Sequence, residues 1–285
     1  MQITGAARLA GIMGWPVAHS RSPALHGFWL AEHGIDGAYV PLAVPPERLE
    51  QALRALPALG FRGCNLTIPH KPAAIAVMDR IDSFARRVGA INTVVVGSDG
   101  TLEGSNTDIF GFRENLREGA PDWDPSGAAV VLGAGGAARS VVAALSDAGV
   151  REIRLVNRTM SHAEALSRDL AQSTIDIVIR PWSARATALR GAALVVNTTS
   201  LGMEHEPPLD LDLAALPIEA VVVDIVYVPL ETALLAAAKR RGNRVVDGLG
   251  MLLHQGRPGF AAWFGTSPKV TPALRTAMLA TLARR

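Results

Sequence analysis

A glycine-rich segment near the middle of the chain has the residue types and spacing of a phosphate-binding loop. Residues 133–138 read Gly-Ala-Gly-Gly-Ala-Ala and follow an apolar run at residues 128–132. Glycine suits this place because the turn is tight and because a pyrophosphate must approach backbone N–H groups at the positive end of a helix. With a strand before it and a helix after it, this G-x-G-x-x-A pattern predicts a dinucleotide site. The alternative is a tight strand-to-helix turn without a ligand.

The end of the next predicted strand indicates which dinucleotide is bound. A site for NAD carries Asp or Glu about twenty residues past the glycines, and that carboxylate binds the ribose 2'-hydroxyl and repels a 2'-phosphate. Here the corresponding segment is Asn157-Arg158-Thr159. Neutral Asn157 removes the repulsion, Arg158 can form charge-assisted hydrogen bonds with a phosphate, and Thr159 adds a hydroxyl donor. NADP is therefore favoured, and the alternative for Arg158 is a solvated surface arginine.

Two serines near the N-terminus have the chemistry of an anion site. Ser20 and Ser22 lie where the first predicted helix begins, with Pro23 at its first position. Free N–H groups and the helix dipole favour an anion there, and the two hydroxyls add neutral donors. This pattern predicts a carboxylate ligand. The alternative is that Ser22 only caps the helix.

A lysine and an aspartate could form a proton-transfer pair. Thr67 and Lys71 follow a predicted strand, where α/β sheets bind their ligands, and Asn92 and Asp108 come further along the chain. Asp108 lies at the junction between two predicted regions, where a cleft would form. An ammonium can protonate an oxygen while hydride reaches the carbon attached to it. The alternative is that Lys71 and Asp108 are unrelated surface charges, because nothing in their spacing brings them together.

The elements that must position these residues alternate between strand-like and helix-like patterns, which predicts an α/β protein with mostly parallel sheets. The first region has strands at residues 7–13 and 61–66, a helix opened by Pro45-Pro46, and a hairpin formed by residues 91–96 and 101–105. A second core begins after the polar stretch 119–127. Its predicted strands are residues 128–132, 152–156, 175–179, 194–197, 221–225 and 243–246. Residues 250–285 read as two helices.

Composition excludes several classes of protein. The chain has 285 residues, 49% hydrophobic and 19% charged, so it can bury a large core without disulfides or a structural metal. Cys64 is the only cysteine, and the histidines lack the spacing of a metal site, so we expect no metal. The formal net charge is only +2, and the 28 Lys and Arg residues are scattered along the chain, so nucleic acid is not an expected partner. No apolar run is long enough to cross a membrane, and residues 1–13 do not read as a signal peptide, so we expect a cytoplasmic protein.

Taken together, these motifs resemble the shikimate dehydrogenase family, and the similarity runs through nearly the whole chain in the same order and spacing. The segments that carry it are residues 14–23, 65–71, 89–93, 106–108, 133–138, 157–159, 197–202, 224–232 and 247–255. The resemblance implies reversible reduction of 3-dehydroshikimate to shikimate by NADPH.

The resemblance also implies residue roles. Lys71 and Asp108 correspond to the catalytic acid/base pair. Substrate contacts are implied for Ser20, Ser22, Thr67, Lys71, Asn92, Asp108, Tyr227 and Gln255. NADP contacts are implied for Gly133, Ala134, Gly135, Gly136, Ala137, Asn157, Arg158, Thr159, Ile225 and Gly248.

The family architecture implies two domains. An N-terminal α/β substrate domain, residues 1–107, is completed by C-terminal helices at residues 248–285, and a Rossmann-type NADP-binding domain comprises residues 108–247. A small-molecule substrate is the expected partner, and the protein is expected to be a monomer or a homodimer.

Three positions depart from the family pattern. His26-Gly27 stands where Asn or Gln often follows the histidine, His162 stands where a second Arg or Lys often follows Asn-Arg-Thr, and Ser83 stands where some members carry an acid. Histidine carries less positive charge at pH 7 than arginine, so the 2'-phosphate would depend on Arg158. Two alternatives stay open: a quinate/shikimate dehydrogenase of broader specificity, and a non-catalytic nucleotide sensor on the same scaffold. The sensor is expected to lack Lys71 or Asp108, and both are present.

Overall fold

The protein consists of two compact units. The structure, a computed structural model, describes residues 3–170 and 175–283. One unit comprises Met1–Thr107 and Gln255–Arg285, and the other comprises Asp108–His254. The domain boundaries expected from the sequence, 107/108 and 247/248, remain a prediction. Of the residues assigned to those domains, 1–2, 171–174 and 284–285 lie outside the described residues.

The first unit is built on a six-stranded mixed sheet with the strand order β2-β1-β3-β5-β6-β4. The strands β2, β1 and β3 are parallel, whereas β5 runs antiparallel to both β3 and β6. Its elements before the junction are β1 (Arg8–Gly14), α1 (Ser22–Glu32), β2 (Gly37–Ala43), α2 (Leu49–Ala55), β3 (Phe61–Leu66), β4 (Arg80–Ile81), α3 (Ser83–Val88), β5 (Thr93–Val96) and β6 (Leu102–Ser105).

The second unit is built on a six-stranded parallel sheet with the strand order β12-β11-β10-β7-β8-β9. This is the order 6-5-4-1-2-3 of a Rossmann fold, and it confirms the predicted fold class. Its elements are α4 (Asp108–Gly119), β7 (Ala128–Leu132), α5 (Gly136–Asp147), β8 (Glu152–Asn157), α6 (Met160–Leu170), β9 (Asp176–Pro181), β10 (Ala192–Asn197), β11 (Val221–Asp224), α7 (Ala233–Arg241) and β12 (Arg244–Val246).

Two helices follow, α8 (Leu249–Phe264) and α9 (Pro272–Ala283), as the sequence predicts. The predicted hairpin is also present, because β5 and β6 pair in antiparallel register from Thr93↔Ser105 to Val96↔Leu102. No helix among the described residues is long and apolar enough to cross a membrane.

Each unit has its own apolar core. In the first unit, α2 contributes buried Leu49 and Leu53, and buried Leu56 follows the helix directly. The segment that begins at Pro46 is a short 3-10 turn, and the α-helix starts only at Leu49. In the second unit, the central strands carry Val and Leu on both faces because helices cover a parallel sheet on both sides. Val130, Leu132 and Val195 have no exposed surface.

Gly27, one of the departures from the family pattern, lies inside α1 with open space around it. A Cβ at this position would meet no atom within 4 Å. We expect Gly27→Ala to raise the free energy of unfolding by about 1 kcal/mol, because alanine loses less backbone entropy in a helix. The thermal midpoint should rise by about 2–4 °C with kcat unchanged.

Gly250 in α8 provides the matched control. A Cβ there would collide with the Asn115 side chain, which donates from Nδ2 to the Asp247 carbonyl oxygen at 2.8 Å. Gly250→Ala should therefore lower the midpoint. A Gly27→Ala protein that melts below the unmodified one would contradict the assignment of open space at residue 27.

Candidate active site

The two loops that carry Ser20 and Thr67 are joined at the carboxyl ends of β1 and β3. Thr67 N donates to Met13 O at 2.9 Å, and Trp15 N donates to Ile68 O at 3.1 Å. Gly14 permits this approach, because a Cβ on it would collide with the Thr67 side chain. The predicted anion loop and the predicted lysine loop therefore lie side by side.

The two serines organise the entry to α1, but Ser22 does not cap the helix, which was the alternative to an anion site. The helix begins at Ser22, its N-cap is Arg21, and no side chain caps it. Instead, Ser20 Oγ accepts from Ser22 N at 3.3 Å. The Ser22 side chain is hydrogen-bonded to Tyr39, whose hydroxyl donates to Asn65 Oδ1 at 2.6 Å. Burial raises the pKa of Tyr39 well above its ordinary value, so this phenol stays a neutral donor.

Asn92 is held at the same edge of the sheet by a buried hydrogen-bond network. Its Oδ1 accepts from Thr107 N at 2.8 Å, from Thr107 Oγ1 at 3.1 Å and from Thr93 Oγ1 at 3.0 Å. Ile91 N donates to Lys71 O at 2.9 Å, which places the Lys71 backbone next to this strand. The first unit therefore brings five predicted site residues to the end of its sheet where β1 and β3 terminate: Ser20, Ser22, Thr67, Lys71 and Asn92.

The remaining predicted acid/base and substrate residues lie elsewhere in the two units. Gln255 stands on α8, where a Cβ on the adjacent Gly256 would lie 2.9 Å from Leu25 Cδ2 of α1. Asp108 is the buried first residue of α4 in the second unit and follows Thr107 directly in the chain. Tyr227 also belongs to the second unit, in the segment after β11.

The glycine-rich loop of the second unit has the geometry of a phosphate cradle. Gly133 has a φ of 104°, which favours glycine, and a Cβ there would lie 2.8 Å from Thr198 Oγ1. Gly135 and Gly136 open α5, and a Cβ on either would meet no atom within 4 Å. The space beside the first turn of α5 is therefore open at these two glycines, and because a helix N-terminus offers free backbone N–H groups, these residues fit a dinucleotide pyrophosphate.

The end of β8 presents the predicted 2'-phosphate residues. Asn157 Nδ2 donates to Thr159 O at 2.8 Å, so the asparagine side chain shapes this turn. Arg158 and Thr159 are exposed, as is His162 in the first turn of α6. A carboxylate that would repel a phosphate is absent from the segment Asn157-Arg158-Thr159 itself.

The other half of a dinucleotide would extend to the opposite side of β7, over β10 and β11. In this fold the two halves of the ligand lie on the two sides of the switch point in strand order, which falls between β7 and β10. Ile225 follows β11 directly, and a Cβ on Gly248 would collide with the Ile225 carbonyl group. Gly248 therefore permits a close approach of two segments, and it has no side chain to offer a ligand.

Asp224, to which the sequence assigned no role, is the central polar residue of this region. It is fully buried at the end of β11, where Oδ1 accepts from Asn197 Nδ2 at 2.9 Å and Val226 N at 3.0 Å. Oδ2 accepts from Thr232 Oγ1 at 2.7 Å. A lone carboxylate that closes the apolar run Val-Val-Val was the available signal. Burial raises the pKa of Asp224 to about 6, although hydrogen bonds from Thr232, Val226 and Asn197 act in the opposite direction.

This raised pKa predicts a pH-dependent stability. The carboxyl has a pKa of 3.8 when unshifted, so the folded chain binds more protons than the unfolded chain between that value and about 6. The stabilising contribution of Asp224 is therefore complete below about pH 4 and is lost as the pH rises through about 6. The side chain of Asp224→Asn cannot titrate. As the pH rises through this range, the free energy of unfolding of the variant should therefore increase by up to about 3 kcal/mol relative to that of the unmodified protein. Unfolding midpoints of both proteins at about pH 4 and pH 7 measure this gain, and a constant difference between the proteins would contradict it.

The fold and the site geometry define a two-domain α/β protein with one dinucleotide-binding unit. A family model described as the shikimate dehydrogenase substrate binding domain matches residues 12–94, and a model described as shikimate / quinate 5-dehydrogenase matches residues 124–203. The chain is 61% identical over 278 residues to a protein named shikimate dehydrogenase (NADP(+)) from Paramagnetospirillum magneticum. The aligned residues cover 97% of this chain and 100% of that protein.

Two solved structures share the whole fold. Shikimate 5-dehydrogenase from Thermus thermophilus, in complex with NADP(H) and shikimate, has a TM-score of 0.84 and 38% identity over 96% of this chain and 99% of that chain. Quinate dehydrogenase from Corynebacterium glutamicum, in complex with NAD, has a TM-score of 0.90 and 31% identity over 96% of this chain and 99% of that chain. The chain belongs to the shikimate dehydrogenase family.

Proposed function

We propose that this protein is an NADP-dependent oxidoreductase that reversibly reduces 3-dehydroshikimate to shikimate in chorismate and aromatic amino acid biosynthesis. The observation that carries this proposal is the 61% identity, over the full length of the relative, with a shikimate dehydrogenase (NADP(+)). The Thermus thermophilus structure supports the substrate and the cofactor, because it holds shikimate and NADP(H) on the same fold.

The first unit is proposed to bind the carboxylate and hydroxyl groups of the substrate. Ser20, Ser22, Thr67 and Asn92 offer hydroxyl and amide groups at the edge of the sheet where the substrate would lie, and Lys71 offers a cation. Gln255 and Tyr227 are proposed as further substrate contacts. Support for this set comes from the joined loops after β1 and β3 and from the buried network that fixes Asn92.

Lys71 and Asp108 are proposed as the acid/base pair. NADPH, when bound, supplies the hydride to the ring carbonyl carbon. The Lys71 ammonium donates a proton from Nζ to the carbonyl oxygen, so that the C=O bond becomes a CH–OH group. In the reverse direction, the Lys71 amine left by this step takes the proton back from the hydroxyl group as hydride leaves the carbon, and Asp108 is proposed as the carboxylate partner of the lysine in this exchange.

The second unit is proposed to hold NADP. Backbone groups of residues 133–137 would bind the pyrophosphate, and Asn157, Arg158 and Thr159 would bind the ribose 2'-phosphate. Ile225 and Gly248 would lie at the nicotinamide half of the dinucleotide. Support comes from the left-handed backbone of Gly133, the open space around Gly135 and Gly136, and the exposed guanidinium of Arg158.

We also propose that the domains are residues 1–107 with 248–285 and residues 108–247, that the protein acts in the cytoplasm, and that it is a monomer or a homodimer. The division into compact units at Asp108 and Gln255 supports the first proposal. A single, buried cysteine supports a reducing compartment.

Incubation with 3-dehydroshikimate and NADPH tests the function. One molecule of shikimate should appear for each NADPH oxidised, and the reaction should run backwards from shikimate and NADP+. Quinate oxidation is the second candidate, because the quinate dehydrogenase structure has the same fold and holds NAD. Faster oxidation of quinate with NAD+ than of shikimate with NADP+ would favour that candidate.

A further inference from the structure

The segment between β11 and α7 is attached at both ends to one buried carboxylate. Asp224 accepts from Val226 N at the start of this segment and from Thr232 Oγ1 at its end. Thr232 in turn caps α7, because its Oγ1 accepts from Leu235 N at 3.3 Å. In the middle of the segment, Glu204 N donates to Val228 O at 2.8 Å. Asp224 therefore fixes the path of the chain through residues 225–232.

The same carboxylate is joined to the loop after β10. The carboxyl ends of β7, β10 and β11 are in register through Leu132, Asn197 and Asp224. Asn197 Nδ2 donates both to Asp224 Oδ1 and to Leu201 O at 3.1 Å. Asn197 Oδ1 accepts from Thr199 Oγ1 at 2.7 Å. The nitrogen and the oxygen of the Asn197 amide therefore both bind the loop after β10.

The network continues to the glycine-rich loop. Thr198 Oγ1 donates to Leu132 O at 2.7 Å, and a Cβ on Gly133 would lie 2.8 Å from that hydroxyl oxygen. The phosphate cradle and the segment after β11 therefore belong to one hydrogen-bonded region at the carboxyl ends of the strands. Asp224 is an ionisable group within this region. Its carboxylate accepts hydrogen bonds from neutral groups of Asn197, Val226 and Thr232.

We propose that Asp224 is a positioning residue: its carboxylate fixes residues 225–232 and so places Ile225 at the nicotinamide half of the cofactor and Tyr227 at the substrate. This inference deepens the proposed function and rests on it. An ionised carboxylate has enough lone pairs to accept from all three donors, whereas an amide has one oxygen acceptor and an NH2 group. Asp224→Asn keeps the shape of the side chain and removes that capacity, and Asp224→Ala removes all three bonds.

Binding of two ligands separates positioning from general stability. Adenosine 2',5'-bisphosphate carries the adenosine and the 2'-phosphate but no nicotinamide, and NADP+ carries both halves. In Asp224→Asn, the Kd of NADP+ should rise about tenfold while the Kd of adenosine 2',5'-bisphosphate stays within about twofold. With shikimate as the substrate, kcat should fall between about tenfold and 100-fold and KM should rise, because the reacting groups are misplaced.

Asn243→Ala is the matched control at the opposite edge of the same sheet. Asn243 is also buried, and its Nδ2 donates to the carbonyl oxygens of Pro217, Ile218 and Ala220 at 2.8, 3.1 and 3.1 Å. Its removal should lower the thermal midpoint and leave the ratio of the two Kd values and kcat unchanged. Both Asp224 variants should raise the ratio of the Kd of NADP+ to the Kd of adenosine 2',5'-bisphosphate, whether or not their thermal midpoints change.

An unchanged ratio of the two Kd values in Asp224→Asn would overturn the proposal. Two unaltered Kd values would show that Asp224 does not affect binding, and an equal rise in both would indicate general loosening of the unit. The nucleotide measurements do not use shikimate. Failure of the unmodified protein to oxidise shikimate would therefore reject the proposed function, while the Kd ratio would still decide the role of Asp224.

Discussion

Lys71→Ala should lower kcat for shikimate oxidation by about 10²–10⁴-fold, the usual contribution of a general acid/base. The lysine ammonium is proposed to be needed mainly in the transition state, when the substrate oxygen gains or loses its proton. Its loss should therefore leave KM within about threefold of the unmodified value. Initial rates at saturating NADP+ over a range of shikimate concentrations measure both constants.

Lys269→Ala is the control for this variant. Lys269 is exposed in the segment between α8 and α9, and its backbone oxygen, which accepts from Trp29 Nε1 at 3.1 Å, is kept in the variant, so the change deletes a lysine outside the proposed site. Its kcat should equal that of the unmodified protein. Near-normal turnover in Lys71→Ala would refute the acid/base role. If KM rose strongly while kcat did not fall, Lys71 would be a residue that binds the substrate only.

Arg158→Ala should weaken NADPH much more than NADH. The exposed guanidinium at the end of β8 is proposed to form charge-assisted hydrogen bonds with the 2'-phosphate, which NADH lacks. Bonds of this kind contribute about 1.5–3 kcal/mol, which corresponds to a rise of roughly 10- to 150-fold in the Kd of NADPH. The segment Asn157-Arg158-Thr159 contains no second basic residue that would compensate for the loss.

Titration of protein fluorescence with each nucleotide measures these affinities. Arg168→Ala removes an exposed arginine from the last turn of the same helix that follows Arg158, and it should change neither Kd. Equal losses for NADPH and NADH in Arg158→Ala would contradict a phosphate contact. They would indicate that the arginine only supports the turn around Asn157.

The second unit was the more predictable part of the fold. Its central strands β7, β10 and β11 are built on continuous apolar runs, and a sheet covered on both faces requires that pattern. In the first unit, β2 (Gly37–Ala43) was not predicted from the sequence because Pro41 lies inside it. Proline is tolerated there because β2 is at the edge of the sheet. The two-residue strand β4 is too short to leave a pattern.

Residue types in the site were predictable, but their connections were not. The loop glycines and Asn157-Arg158-Thr159 are local signals, since each acts within one turn of chain. The network at Asp224 joins residues 27 and 8 positions apart, and that at Asn92 joins residues 15 positions apart. Such contacts depend on strand register, which a single sequence does not reveal. Ser22 shows the same limit, because its side chain bonds Tyr39 instead of capping α1.

The most direct test of the proposed function compares initial rates of four combinations: shikimate or quinate as the substrate, with NADP+ or NAD+ as the cofactor, followed by the absorbance of the reduced nicotinamide. We expect kcat/KM to be highest for shikimate with NADP+ and far lower for the other three. Strong activity with quinate or with NAD+ would contradict that specificity and indicate a broader dehydrogenase. No activity with any combination would contradict catalysis itself and favour a nucleotide sensor on the same scaffold.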